Sequence, residues 1–309
     1  MRMVVDISHK LAIVVPTVGR RDELRRMLVS LAQQTRRPDQ VIVVDEAGEA
    51  HALAQELPAL NILVSTFPRG SASAKRNRGM ACVAPEIDLI GLMDDDIVLE
   101  PLALESTLRF WGKAPSDLGG VSLNVLNDPP DFASRLKRSK IASWLGLYRP
   151  EKGKVLRSGF HLPLRHTTET IFVDWLPTYC VIYPKHVLET YSFDEFFVGY
   201  SYLEDLDFSY RIRKQYRLAV VADARFSHYP SNVGRPQWYH FGKKEVINRL
   251  YFVSKHRELS RPQCFFRLLA RTFFTLLEGF GKLEGHQFKR VAGNIAGLAI
   301  AARGDFTPV

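Results

Sequence analysis

Four short apolar runs alternate with segments of helical periodicity through the first third of the chain, and each run ends in polar side chains. The runs are LAIVV at 11–15, VIVV at 41–44, NILVS at 61–65 and the stretch 87–93 that leads into GLMDDDIVLEP. Between the first two, Leu24, Met27, Leu28 and Leu31 recur at the spacing of one helix face within 22–34, with Asp22 placed to cap it. Helices are expected again at 49–57 and 71–82. Continuous apolar strands, each followed by a helix, fold as a parallel sheet covered on both faces. Ligands of such sheets bind beyond the carboxyl ends of the strands. Pro16 and Thr17, Asp45 and Glu46, and Asp94, Asp95 and Asp96 all fall there, so three separate units deliver polar groups to one edge.

The aspartate triplet is the oddest of these. Aspartate is a poor strand residue, and three adjacent carboxylates repel one another. A solvated acidic turn is the plain alternative, but the strand before it is apolar and the other strand ends are acidic too. Carboxylates gathered at a sheet edge relieve their repulsion by taking a divalent cation. Oxygen ligands without a thiolate cluster favour Mg2+ or Mn2+ over zinc, and such ions keep positions open for phosphate oxygens. A diphosphate-bearing substrate is the natural occupant. Removing one aspartate is then expected to relieve repulsion in the metal-free protein. The chain has no Gly-x-Gly-x-x-Gly after the first strand and no Gly-x-x-x-x-Gly-Lys-Ser/Thr, the two commonest nucleotide loops.

With 309 residues, 46% of them hydrophobic, the chain is long enough for one large domain or two modest ones. No stretch reaches the roughly 18 unbroken apolar residues of a membrane span, and MRMVVDISHKLAIVV lacks the pattern of a signal peptide, so a cytoplasmic chain is expected. Cys82, Cys180 and Cys264 are odd in number and far apart, which fits buried free thiols rather than a disulfide framework or a zinc site.

Beyond the aspartates, a helix is expected over 101–113 and a strand at LGGVSLNVL, while 127–170 resist reading and suggest a variable, partly mobile insertion. Regularity returns at IFVDWLPTYCVIYPKHVLE, and after Pro236 the chain reads as helical nearly to its end. Charge is unevenly spread. The net charge is +9, yet up to residue 234 there are 29 Lys and Arg against 28 Asp and Glu, and from Arg235 onward 13 against 5. That asymmetry marks a separate module and points to an anionic partner, lipid headgroups or nucleic acid. Its sequence RPQCFFRLLARTFFTLLEGFGKLEGHQFKRVAGNIAGLAIAARG reads as two helices around a glycine-rich turn at 279–285. Arg267, Arg271 and Glu278 form a narrow polar stripe. The wide apolar remainder is expected to be buried against the rest of the chain, a second subunit or a membrane interface. Gly293 and Gly297, at i and i+4, would let a neighbouring helix approach closely.

Four segments, in order, carry a resemblance. They are VVPTVGRRDELRRMLVSLAQQTRRPDQVIVVDEAG, GSASAKRNRGMACV, LMDDDIVLEP and FDEFFVGYSYLEDLDFSYRIRKQYRLAVVADARFSHYPSN. Over 11–232, apart from the middle stretch, the chain resembles a family 2 glycosyltransferase. The resemblance implies an α/β protein of the GT-A fold, a Rossmann-like, mostly parallel sheet flanked by helices, here with a C-terminal helical extension. It implies a donor-binding part at 1–110, an acceptor-binding part at 111–234 and a basic amphipathic extension at 235–309. The implied reaction moves a sugar, with inversion, from a nucleotide-diphosphate donor to a hydroxyl of a glycan or glycolipid acceptor, as in bacterial envelope polysaccharide synthesis. The implied location is cytoplasmic, or peripheral on the inner face of the membrane.

Residue by residue, the resemblance gives Pro16, Thr17 and Asp45 to the base and ribose, and Arg76 to the diphosphate. The family's Asp-Asp-Gly-Ser is replaced here by Asp45-Glu46-Ala47-Gly48, which leaves the role of Glu46 open. Asp94 and Asp96 take the two Asp-x-Asp positions, Asp96 on a Mn2+ or Mg2+ ion and Asp94 on the ion or the ribose, with Asp95 facing the donor. His228 becomes a third metal ligand, although a lone histidine is commonly structural. Glu204 and Asp205 open a helix whose acidic first turn the helix dipole alone would favour. Inverting transfer also needs a base about 3 Å from the acceptor hydroxyl. The resemblance assigns that base to Asp205 and acceptor binding to Glu204. Trp175 and Tyr179 either stack on a sugar face or pack in the core. A sugar-nucleotide-forming nucleotidyltransferase remains the alternative enzyme, without its usual glycine-rich signature. A basic nucleic-acid-binding protein remains the alternative binder, without a nucleic-acid motif; no nucleic acid is expected as a partner.

Overall fold

A computed structural model describes residues 8–127, 151–231, 237–282, 284–304 and 306–308; much of the stretch that resists reading, 128–150, lies outside the described residues. These fall into two units, one of 8–127, 164–195 and 204–231, the other of 151–163, 196–203 and the described residues from 237 onward.

The first unit is built on one sheet of nine strands among the described residues. They are β1 (Leu11–Thr17), β2 (Gln40–Asp45), β3 (Ile62–Thr66), β4 (Leu89–Met93), β5 (Ile97–Leu99), β6 (Leu118–Val125), β7 (Ile171–Val173), β8 (Cys180–Pro184) and β9 (Arg217–His228). Their order is β3-β2-β1-β4-β8-β6-β9-β5, with β7 also paired to β9. The first four neighbours run parallel, while β8 is antiparallel to both β4 and β6. The helices are α1 (Arg21–Ala32), α2 (Ala50–Glu56), α3 (Ala72–Met80), α4 (Ala103–Trp111), α5 (Lys185–Thr190) and α6 (Glu204–Ile212). All five residues of β4 are buried, as expected of a strand covered on both faces.

Two local expectations shift. The first strand does not stop at Pro16 but continues to Thr17. Beyond Val14 it has β2 on one side only, so a residue without an N–H is tolerated there. Helix α1 begins at Arg21 with Arg20 at the cap position, and Asp22 lies in the first turn, where the helix dipole favours it, rather than capping. Helix α3 is capped by Ser71, whose Oγ accepts the Ala74 N–H at 3.1 Å. Gly79 lets α3 sit down on the sheet: a Cβ there would lie 2.3 Å from Val14 Cγ1. This close seat brings Lys75 and Arg76 over the strand ends.

The second unit holds α7 (Trp238–Ser254), α8 (Arg261–Lys282) and α9 (Gly285–Ala302). Helix α8 runs straight through Gly279 and Gly281, so the break falls later than the glycine-rich turn expected from 279. Helices α7 and α9 touch backbone to backbone. A Cβ on Gly293 would stand 2.0 Å from the Tyr239 carbonyl oxygen, and one on Gly242 would stand 2.2 Å from that of Arg290. The neighbouring helix that Gly293 and Gly297 were expected to admit is α7.

At the centre of these helices lies Glu245 of α7, 1% exposed. Arg290 of α9 holds it through Nε and Nη2 (3.1 and 2.9 Å), and Arg271 of α8 pairs with it at 2.5 Å. Burial raises its pKa, but the two guanidinium groups outweigh burial and hold it at about 2. Because α8 turns Arg271 and Thr272 inward to this cluster, only part of its wide apolar surface is buried. Cys264, Leu268 and Phe274 go inward, whereas Phe265, Phe266, Leu269, Phe273, Leu277 and Phe280 stay exposed. Removing one member of a buried pair leaves uncompensated charge, so Glu245→Ala should lose about 3 kcal/mol in urea unfolding. Glu245→Gln should recover part of that loss. An unchanged midpoint and slope for the alanine variant would show that the cluster does not hold the helices.

Candidate active site

The carboxyl ends of β1, β2 and β4 do form one polar edge. Thr17 and Asp45 are register partners on adjacent strands, and Pro16 pairs with Val44. Both oxygens of the buried Asp45 carboxylate accept backbone N–H groups of the following loop, from Ala47 (2.9 Å) and Ala50 (2.8 Å), which ties β2 to the start of α2. Glu46, whose role the sequence leaves open, is the partner of Lys75 (2.6 Å). Lys75 also donates to the Thr17 carbonyl at 3.2 Å.

The three aspartates do not repel one another unanswered, because each faces a different partner. Arg76 Nη2 donates to Asp94 Oδ1 at 2.8 Å. Asp95 Oδ1 accepts from Arg20 Nη1 (2.9 Å) and Oδ2 from Thr17 Oγ1 (2.7 Å). Asp96 Oδ1 lies 3.1 Å from His228 Nε2, and Oδ2 accepts the Ser231 N–H at 3.0 Å. The expected relief on deleting an aspartate is therefore corrected for Asp96. Burial works to raise its pKa, but His228, the Ser231 N–H and Arg20 outweigh burial and lower it. For Asp95 burial wins, and the carboxyl is pushed up to about 6 against Arg20 and Thr17.

His228 is the last residue of β9, and β5 fixes it beside the triplet through the register Ile97↔His228. One ligand atom each from Asp94, Asp96 and His228 lie within 4.8 Å of one another. Two carboxylate oxygens and one imidazole nitrogen at that spacing fit a divalent cation of the Mg2+ or Mn2+ type, and they leave positions open.

Arg76 joins this cluster to a second one. It is 4% exposed, and while Nη2 holds Asp94, Nη1 donates to Glu204 Oε1, also at 2.8 Å. Glu204 and Asp205 form the first turn of α6. The helix dipole would lower both pKa values, but burial wins. Burial, then the neighbouring Asp205 charge, lifts Glu204 to about 8 against Arg76. Burial lifts Asp205 to about 6 against the Leu206 N–H and Arg76. The backbone just before the helix is strained, with Leu203 at φ 77°. Burial thus raises both members of this pair above the ordinary carboxylate range, which makes Asp205 more basic than an ordinary aspartate.

Tyr179 is half-buried at the same edge. Its carbonyl accepts the Asp94 N–H (3.0 Å), and its ring lies 5.3 Å from that of His228. Trp175 is 6% exposed, and the neighbouring Leu176 N–H donates to Ser209 Oγ of α6, so for Trp175 the core alternative describes the packing. Sequence reasoning passed over Arg20 and Lys75. Both were findable: each is a basic residue one element away from an acidic strand end, on the edge where ligands of such sheets bind.

The sequence model of glycosyl transferase family 2 matches residues 12–172, just over half of the chain. The chain belongs to this family. Family membership makes it a glycosyltransferase and sets the nucleotidyltransferase alternative aside. A search of curated proteins finds no significant match. Among solved structures, the chain is similar to the mannosyltransferase PcManGT from Pyrobaculum calidifontis in complex with GDP-Man and Mn2+, at 15% identity and a TM-score of 0.58 over 95% of this chain and 88% of that one. It is similar to residues 1–349 of S. aureus TarS in complex with UDP-GlcNAc, at 15% identity and a TM-score of 0.53 over 96% and 92%. It is also similar to GalNAc-T7 with UDP, GalNAc and Mn2+, at 14% identity and a TM-score of 0.55 over 77% and 48%. The shared feature is the GT-A fold, which this family member completes with three C-terminal helices.

Proposed function

We propose that the chain is an inverting transferase that moves a sugar from a nucleoside-diphosphate donor to a hydroxyl of a glycan or glycolipid acceptor. The observation that carries this reading is the Arg76 bridge. One guanidinium bonds Asp94 of the candidate cation cluster and Glu204 of the carboxylate pair, so donor and acceptor chemistry share one site. GDP-Man and UDP-GlcNAc in the neighbours support a nucleoside-diphosphate sugar, and Mn2+ in two of the neighbours supports a divalent cation.

On this reading Pro16, Thr17, Asp45 and Asp95 bind the base and ribose, with Arg20 and Lys75 adding positive charge toward the donor. Asp94, Asp96 and His228 would hold Mn2+ or Mg2+, which would supply charge stabilisation for the departing diphosphate. Asp205, in its ionised form, accepts the proton of the acceptor hydroxyl. The acceptor oxygen bonds to the anomeric carbon as the bond from that carbon to the diphosphate oxygen breaks on the opposite face, which inverts the configuration. Glu204 and Tyr179 orient the acceptor. Residues 1–110 serve the donor and 111–234 the acceptor. The family resemblance supports envelope polysaccharide or glycolipid synthesis at the cytoplasmic face of the membrane as the setting.

The direct test is a panel of nucleotide-sugars incubated with the protein and Mn2+. Nucleoside diphosphate should appear from one donor and not in EDTA, and NMR of the product should show the opposite anomer. Release that ignores EDTA, or a product of retained configuration, would overturn the reading.

A further inference from the structure

Helix α8 wears its apolar side outward. Phe265, Phe266, Leu269, Phe273, Leu277 and Phe280 recur at helical spacing along one stripe, and each is between 37% and 67% exposed. From the first to the last the stripe is about 22 Å long. The inward side mixes apolar Cys264, Leu268 and Phe274 with polar groups. There Arg271 pairs with Glu245, and Thr272 Oγ1 accepts from Asn294 Nδ2 at 3.2 Å. A helix that merely covers a core would be turned the other way, and a contiguous exposed apolar stripe of this length marks an interaction surface.

Charge indicates what covers it. Thirteen Lys and Arg face five Asp and Glu from Arg235 onward, and with the buried Glu245 set aside together with its partners Arg271 and Arg290, eleven still face four. Exposed Arg261 stands one turn before Phe265. Past the other end, the Phe280 ring meets that of Phe288 (5.1 Å between centroids), and the next residue, Lys289, is exposed. An exposed cation thus precedes the stripe on α8, and another follows the residue that meets its last ring. A second copy of the chain would bring the same positive excess against it, whereas an anionic lipid surface offers apolar depth and negative charge together. No described helix is long and apolar enough to cross a membrane. We propose that α8 docks lengthwise, through this stripe, into the headgroup region of an anionic bilayer. The proposal does not depend on the transferase reading.

The test is co-sedimentation of the full chain, without donor or acceptor, with neutral phosphatidylcholine vesicles and with vesicles containing about one-third phosphatidylglycerol. The chain should pellet with the anionic vesicles and be partly released at high salt. The triple variant Phe266→Glu, Phe273→Glu, Phe280→Glu alters exposed side chains only and should bind about tenfold more weakly or worse. If that variant does not fold by circular dichroism, the charge reversal Arg261→Glu, Lys289→Glu must weaken binding instead. Wild-type protein left in the supernatant with anionic vesicles overturns the proposal, and so does a folded triple variant that pellets equally. A wild-type dimer that the triple variant converts to monomer, with no vesicle binding, overturns it in favour of a second copy. Diphosphate release is assayed separately, so failure here leaves the proposed reaction untouched.

Discussion

Asp96→Ala should abolish transfer, with a loss of at least about 10³-fold, or about 4 kcal/mol of transition-state stabilisation. The physical reason is the shared cluster: Asp96 supplies one of the two carboxylate oxygens that stand beside His228. Calorimetry with a nucleoside diphosphate should show the same affinity for the variant in Mn2+ as in EDTA, while the wild-type protein gains affinity from the metal. Stability without metal provides the second reading. Because Asp96 is held by His228, the Ser231 N–H and Arg20, its loss should lower stability slightly, by about 1 kcal/mol for the hydrogen bonds removed. Full activity in Asp96→Ala would remove it from the metal site, and a collapse of the metal-free protein would make it structural.

Asp205→Asn should leave the metal and nucleotide affinities unchanged and cut turnover by about 10²-fold or more, the usual scale for a lost general base. The amide is nearly isosteric but accepts no proton. The wild-type pH profile gives an independent check. Transfer needs the ionised form, so the rate should fall as pH drops through about 6, the value to which burial lifts Asp205. The sign for stability is the reverse. The folded-state pKa is raised above the ordinary 3.8, so the folded chain binds this proton more tightly than the unfolded one. Ionising Asp205 therefore costs stability between those values, and at neutral pH the asparagine variant should melt no lower than wild type. Asp207→Asn is the control: buried Asp207 accepts from Arg211 Nε (3.1 Å), so that change should cost stability rather than turnover. Near-normal turnover in Asp205→Asn, with loss only in Glu204→Gln, would move the base by one residue.

The donor half of the sheet was readable because a buried parallel strand leaves a continuous apolar run, and its acidic end stands out against it. The runs before Thr17, Asp45 and Asp94 all became neighbouring strands. Direction was not readable: nothing in CVIYP says that β8 runs against β4, since apolar alternation is the same either way. Pairing was not readable either. Arg76 was expected at the diphosphate from the family resemblance, but its contacts with Asp94 and Glu204 join residues 18 and 128 positions away. The outward face of α8 escaped for a related reason. Periodicity defines a stripe, but only the buried charges of Glu245, Arg271 and Arg290 decide which side of the helix faces in.

The β5–β9 pairing has a consequence for the order in which the protein forms. Asp96 and His228 are 132 residues apart, and it is the register of two strands that makes them neighbours. Closing so long a loop is entropically costly and slow compared with local helix formation. A chain emerging from the ribosome presents its aspartate triplet long before its histidine exists. A cation therefore has no finished cluster to seed, and the assembled ligand set reports that folding of the sheet is complete.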